Sequence, residues 1–239
     1  MNLTLRRIPL PLILDHVFVI EISNGGGMTI LGISASGRTK GVTVDAVKAV
    51  LEATGEPFEF VSLAGKQIAG CRGCVACAAD NRCKVGDDWP ALGELMLAAD
   101  AIVFGAPNYY GTLNALGHAC LERTFCFRHR EVFSLAGKLG VAVAVDSRRD
   151  DSPVLAFIHR MMGSNLMPVV GTVRADGTSQ CYMCGFGEDC SVGSVVATHG
   201  FLECIRDEHR PPRFFEQEEA VQQATKVGKT LGSILRGRA

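Results

Sequence analysis

Five short runs of almost unbroken apolar residues, separated by stretches of helical periodicity, set the strongest limit on how this chain can fold. The runs are MTILGI (28–33), FEFVSL (58–63), AIVFGA (101–106), LGVAVAV (139–145) and MPVVGTV (167–173). A strand with one wet face alternates apolar and polar residues, whereas a continuous apolar run belongs to a strand covered on both faces. Between the runs, Val44, Val47, Val50 and Leu51 recur at helical spacing and stop at Gly55. Asp88 and Pro90 open a second helix that carries Leu92, Leu95, Met96 and Ala99 on one face. Further helical patterns cover 112–127, 152–165 and about 216–236, the last with Val221, Ala224, Val227, Leu231, Ile234 and Leu235 on one side. This alternation predicts an α/β domain over 28–239, a doubly wound parallel sheet of five strands with helices on both faces.

Residues 1–27 stand apart. Two arginines followed by apolar residues give MNLTLRRIPLPLILDHVFVI the outline of an export signal. Asp15, His16 and two prolines interrupt its apolar stretch, and no small-residue cleavage site follows. Regular structure is expected only from Met28, directly after NGGG, so Met28 is read as a candidate native start and 1–27 as a loose extension. No run of 18 apolar residues suggests a membrane span. A formal net charge of −1, without a basic stripe, argues against nucleic acid as a partner. The address that follows is cytoplasmic and reducing, where disulfides are disfavoured and metal thiolates favoured.

In a doubly wound sheet, ligands bind at the carboxyl ends of the strands, so the loops there carry the chemistry. After the first strand comes SASGRTKGVTV, in which Ser34, Ser36, Thr39 and Thr43 offer hydroxyls and Arg38 and Lys40 offer positive charge. Gly41 lets the backbone turn into a helix whose free N–H groups suit a phosphate; a plain capped polar turn is the competing reading. After the third strand comes APNYYGTLNA, where Pro107 and Gly111 shape a turn and Tyr109 and Tyr110 present flat rings. They would stack on a planar cofactor, or simply pack on a helix end. The loop DSRRDDS after the fourth strand is polar and suited to the far side of the same pocket.

The densest chemical signal is CRGCVACAADNRC, with Cys71, Cys74, Cys77 and Cys83 in thirteen positions. Thiolates at C-x2-C-x2-C can converge on one iron–sulfur cluster, and the five-residue gap leaves Cys83 slack to fold back onto it. Structural zinc is the main alternative, but zinc sites usually split into two distant ligand pairs. A redox thiol pair fits less well, because exchange needs only two sulfurs.

The S-x-S-x-R-x-x-G-x-T loop followed by P-N-Y-Y-G resembles the NADPH-dependent FMN reductase group of flavodoxin-like proteins. With the cysteine block after the second strand, the chain resembles the iron–sulfur flavoproteins over about residues 28–173. That resemblance implies a flavodoxin-like fold with cysteine-rich loop insertions. It implies FMN held at its phosphate by Ser34, Ser36, Arg38, Gly41, Val42 and Thr43, with Pro107, Asn108, Tyr109, Tyr110 and Gly111 around the ring and ribityl chain. It further implies a [4Fe–4S] cluster on Cys71, Cys74, Cys77 and Cys83, and a homodimer or homotetramer in which cluster and flavin approach near a subunit interface.

Downstream the chain departs from that pattern. CYMCGFGEDC supplies Cys181, Cys184 and Cys190, with Cys204 further on. A second iron–sulfur cluster is the leading reading of the 181–190 loop, with zinc or free thiols as alternatives. Cys120 and Cys126 lie in a helical pattern and are read as core residues. The histidines show no H-x-x-x-H or H-E-x-x-H spacing, so a histidine-based metal site is not expected. The expected protein is an FMN-dependent oxidoreductase passing electrons between flavin and cluster, joining a one-electron donor such as ferredoxin to a two-electron acceptor. The rival readings are an NAD(P)H-dependent FMN or quinone reductase with structural metal sites, and a redox sensor. No side chain is assigned as an acid–base catalyst.

Overall fold

The computed structural model describes residues 3–8, 17–22, 28–147 and 152–238. In chain order the elements are β1 (Leu3–Ile8), β2 (Val17–Ile22), β3 (Ile30–Ser34), α1 (Val42–Thr54) and β4 (Phe58–Ser62). Next come α2 (Trp89–Ala98), β5 (Ala101–Tyr109), β6 (Thr112–Leu113), α3 (Ala115–Glu122), β7 (Leu139–Asp146) and α4 (Ser152–Ser164). The chain closes with β8 (Val169–Asp176), α5 (Ser194–His199) and α6 (Glu218–Arg236).

The five anticipated strands pair in parallel in the order β4-β3-β5-β7-β8. This is the flavodoxin-like doubly wound order, which reverses direction between β3 and β5 and opens a crevice there. The period of two along each strand divides the core. Leu31 and Ile33 of β3 join Trp89, Met96 and Phe104 under α2, α3 and α4. Ile30 joins Val47, Leu51 and Val103 under α1 and α6. On α6, Gly228 and Gly232 allow the closest approach of two helices. A Cβ on either would run into a backbone carbonyl of α1, that of Val50 or of Thr54.

The last strand ends where a side chain substitutes for a neighbouring strand. Gln217, just before α6, accepts from Asp176 N at 2.7 Å and donates to Asp176 O at 2.8 Å. That pairing holds the segment before α6 against the carboxyl end of β8, beside the crevice.

Two local departures from the sequence reading have physical causes. The helical pattern expected from residue 112 starts only at Ala115, because Tyr110 and Gly111 both adopt positive φ, 55° and 73°. They reverse the chain as a two-residue hairpin turn, and Thr112–Leu113 pairs back on Asn108 and Tyr109. Nor does regular structure wait for Met28. β1 and β2 form an antiparallel ladder, Leu3 opposite Ile22 through Ile8 opposite Val17, separate from the main sheet. LTLRRI and VFVIEI are rich in strand-forming residues, a signal passed over when the segment is read as a loose extension. Of the DSRRDDS loop, residues 148–151 lie outside the described residues. No helix among the described residues is long and apolar enough to cross a membrane.

Candidate functional site

The carboxyl ends of β3, β5, β7 and β8 surround a crevice of about 1000 Å³. One wall is the loop after β3, with Ser36, Arg38, Lys40, Gly41, Val42 and Thr43. Gly41 stands at the helix N-cap with φ 127°, a left-handed conformation suited to glycine, and no side chain caps α1. The first-turn N–H groups therefore face the crevice mouth without a protein cap, beside the Thr43 hydroxyl and two cations. Ser36 Oγ accepts from Arg38 N at 3.1 Å and fixes the loop's bend. Asp45, in the first turn of α1, also reaches this wall; burial pushes its carboxyl up, with Lys48 opposing.

The second wall is the β5–β6 hairpin, where Pro107, Asn108, Tyr109, Tyr110 and Gly111 all line the crevice. Tyr109 is partly exposed and Tyr110 fully so, and the left-handed turn sets both rings at the rim. Ser34 is the one phosphate-loop residue the fold sets apart. It ends β3 on the same face as Ile30 and Gly32, beneath α1, wholly buried and outside the crevice lining. Its hydroxyl has no hydrogen-bond partner among the described residues.

The far wall was read from the sequence only in part, as the DSRRDDS loop that begins at Asp146. It comprises Val145, Asp146 and Ser147 at the end of β7, Gly177 to Cys181 after β8, and Arg213 and Phe214 before α6. The rule that ligands sit at strand ends points to the loop after β8 as well, so that part of the wall had an available signal. Arg213 and Phe214 had none, since only the Gln217 tie brings their segment to the crevice.

The four cysteines of 71–83 line one concave site at the other end of α3, and none of them lines the crevice. Cys71 and Cys74 are exposed, Cys83 is half-buried and Cys77 is buried. Among the described residues no three Cys, His, Asp or Glu side chains are grouped closely enough to hold a metal ion. The concave site they share with their neighbours encloses only about 20 Å³, roughly the room of a single water, and Cys71 and Cys74 stand on its exposed arm. That arm has an unusual backbone: Gly73, Val75 and Asn81 all have positive φ, and at 48° Val75 is a strained β-branched residue.

Hydrogen-bond donors gather around these sulfurs. Arg123 Nε donates to Cys83 Sγ at 3.2 Å, Cys77 Sγ lies 3.0 Å from His129 Nε2, and Gly73 N donates to Cys71 Sγ at 3.5 Å. Glu122 Oε2 accepts from Cys71 N at 3.0 Å and ties the first cysteine to the end of α3. Donors of this kind orient thiolate ligands and tune the group they hold. Burial pushes the Cys77 thiol up, and the neighbouring cysteines add to the shift.

Arg123 is the residue sequence reasoning missed. Its side chain is 1% exposed and forms a two-pronged ion pair with Asp87, at 2.8 and 3.2 Å. It also donates to Ala69 O at 2.8 Å and lies over the Trp89 ring. One guanidinium thereby joins both ends of the cysteine loop to the core. Cys120 and Cys126 are buried, as the core reading expected, and burial pushes each thiol up to about 12. Cys126 nevertheless borders the site of the four cysteines.

The distal cysteines form a lobe after β8. Cys181 belongs to the crevice wall, Cys190 is half-buried, and Cys184 and Cys204 are exposed. Hydrogen bonds from Ser194, through side chain and backbone, and from Ser179 hold the Cys181 thiol below its usual range.

Three comparisons with known proteins bear on this arrangement. A family profile described as NADPH-dependent FMN reductase matches residues 28–178. An iron–sulfur flavoprotein of Methanocaldococcus jannaschii is 34% identical over 149 residues, covering 60% of this chain and 76% of the relative. Another, from Archaeoglobus fulgidus, is 33% identical over 209 residues, covering 86% of this chain and 96% of the relative. In fold, the chain is similar to RosB, solved with 8-demethyl-8-formylriboflavin-5′-phosphate bound. The TM-score is 0.63 at 13% identity, covering 88% of this chain and 80% of that one.

Proposed function

The chain belongs to the NADPH-dependent FMN reductase family, among the iron–sulfur flavoproteins, and on that footing we propose that it is an FMN-dependent oxidoreductase exchanging electrons between a flavin in the β3/β5 crevice and a [4Fe–4S] cluster on Cys71, Cys74, Cys77 and Cys83. Its role is to link a one-electron donor such as ferredoxin to a two-electron acceptor in the cytoplasm. The observation that carries the reading is the crevice itself, which sets an uncapped helix N-terminus with two cations opposite a tyrosine hairpin.

The donor set fits FMN at both ends. Arg38, Ser36, Gly41, Val42 and Thr43 would hold the phosphate by charge-assisted and backbone hydrogen bonds. Pro107 to Gly111 would flank the ring and ribityl chain, with Tyr109 and Tyr110 supplying apolar faces that exclude water. Ser34 is left a supporting part, since its hydroxyl stays under α1. Four thiols on one concave wall, ringed by N–H donors, fit an iron–sulfur cluster better than a histidine-rich metal site. When bound, flavin supplies two-electron exchange and the cluster one-electron exchange; the protein contributes burial, orientation and hydrogen bonding. Val75 and Phe125 are exposed beside the cysteines, an apolar surface that suits a second copy of the chain.

The phosphate assignment has a direct test. Arg38→Ala combined with Ser36→Ala removes a charge and a loop-fixing hydroxyl, so FMN affinity should fall roughly tenfold or more. Affinity for riboflavin, which lacks the phosphate, should change little. Titration of both flavins into the apoprotein decides the matter, and an equal loss for the two removes the phosphate from that loop.

A further inference from the structure

The interval C-x2-C-x5-C occurs twice in this chain. It joins Cys74, Cys77 and Cys83, and it joins Cys181, Cys184 and Cys190. The first set gains its fourth sulfur from Cys71, three residues upstream; the second has only Cys204, fourteen residues beyond Cys190. In the fold that distance is closed. Leu202 N donates to Glu188 O at 3.0 Å, and the position of a Cβ on Gly187 lies 3.1 Å from Ile205 Cδ1. The returning segment thus runs along the 181–190 loop and carries Cys204 beside it.

The loop folds tightly beside its cysteines, although here, as at the first block, no three of their side chains are grouped within metal-binding distance and they would have to draw together to hold a metal. A Cβ on Gly187 would run into the Cys181 carbonyl, so only glycine permits that crossing. The Cβ position of Gly193 lies 3.3 Å from Cys190 Sγ, and the next N–H, that of Ser194, donates to Cys181 Sγ at 3.4 Å. Two thiols therefore approach the same pair of residues, 193 and 194. Cys184 Sγ reaches the Cys181 carbonyl at 3.5 Å. As around the first set, backbone N–H groups already point at sulfur.

We propose that Cys181, Cys184 and Cys190, with Cys204 as the fourth ligand, hold a second iron–sulfur cluster at the wall of the crevice. The repeated interval and the all-thiol ligand set assign it the same class of inorganic group as the first block. Its placement differs. Cys181 lines the crevice next to Gln180 and Ser179, while no cysteine of the first block does. The second site therefore adjoins the crevice of its own chain. Its meaning for electron transfer rests on the flavin reading of that crevice, whereas the metal site rests on the thiols alone.

The test is anaerobic reconstitution of the full chain with ferrous iron and sulfide, followed by iron, sulfide, zinc and FMN analysis. Cys184→Ser, at an exposed position, and the double variant Cys184→Ser/Cys190→Ser should each lose about half of the iron and sulfide and keep FMN. Cys74→Ser should retain the other half. Circular dichroism and the FMN content of each variant show that it is folded. Full iron in both distal variants overturns the proposal, as does zinc in place of iron in the Cys74→Ser protein. If FMN is missing from the wild type while iron still divides in halves, the flavin reading fails and the second site stands.

Discussion

Changing Cys74 to alanine should remove the iron–sulfur centre of the 71–83 loop outright while FMN stays bound. The thiol is exposed, so its loss opens no cavity in the core and leaves no buried group unpaired. A cluster that loses one of four thiolates loses the covalent closure that holds it. The crevice shares no lining residue with the cysteine site, so flavin content should remain that of the wild type. Electron paramagnetic resonance of the reduced protein, read alongside flavin absorbance, gives the outcome. An unchanged first-cluster spectrum in this variant would take Cys74 out of the ligand set.

Arg123→Met should be strongly destabilising. Asp87 keeps only 10% of its side chain exposed, and without the guanidinium its charge is left in the core edge unpaired. Breaking a buried pair in this way costs about 3–5 kcal/mol. The midpoint of urea unfolding should fall accordingly at unchanged slope, and a loss below about 1 kcal/mol would mean that the pair is an ordinary surface bridge. The acid limb carries a second sign of the same pair. Burial pushes the Asp87 carboxyl up, but hydrogen bonds from Arg123 and from the N–H groups of Ala69 and Trp89 outweigh it and leave it below its usual value. A lowered folded-state pKa stabilises above the unfolded value, about 4, and that contribution is lost as pH falls through the folded value. The wild type should therefore lose stability below about pH 4 more steeply than Arg123→Met does.

The sheet was legible because a strand buried on both faces cannot hide: LGVAVAV has no polar residue and became β7, buried along its whole length. The start of the first crevice wall was legible too, since Gly41 at a strand–helix junction is a local signal. What could not be read depends on partners far away in the chain. Arg123 looks like a surface charge after a helix; its burial comes from Asp87 and Ala69, 36 and 54 residues distant. Arg213 and Phe214 join the crevice only because Gln217 replaces a strand neighbour of β8. Ser34 is a different case. Its hydroxyl stands in the right motif, but the strand's period of two turns it beneath α1. Cys204 was a candidate partner of the distal cysteines from the sequence, but only the Leu202–Glu188 bond shows its segment returning along the 181–190 loop.

The account turns on flavin and cluster occupying separate sites in one chain. The most direct measurement is the FMN, iron, acid-labile sulfide and zinc content of protein purified without exposure to oxygen. The account predicts one FMN per chain, together with iron and sulfide in matching amounts and no stoichiometric zinc. Zinc without sulfide, or a chain that binds no FMN, would contradict it.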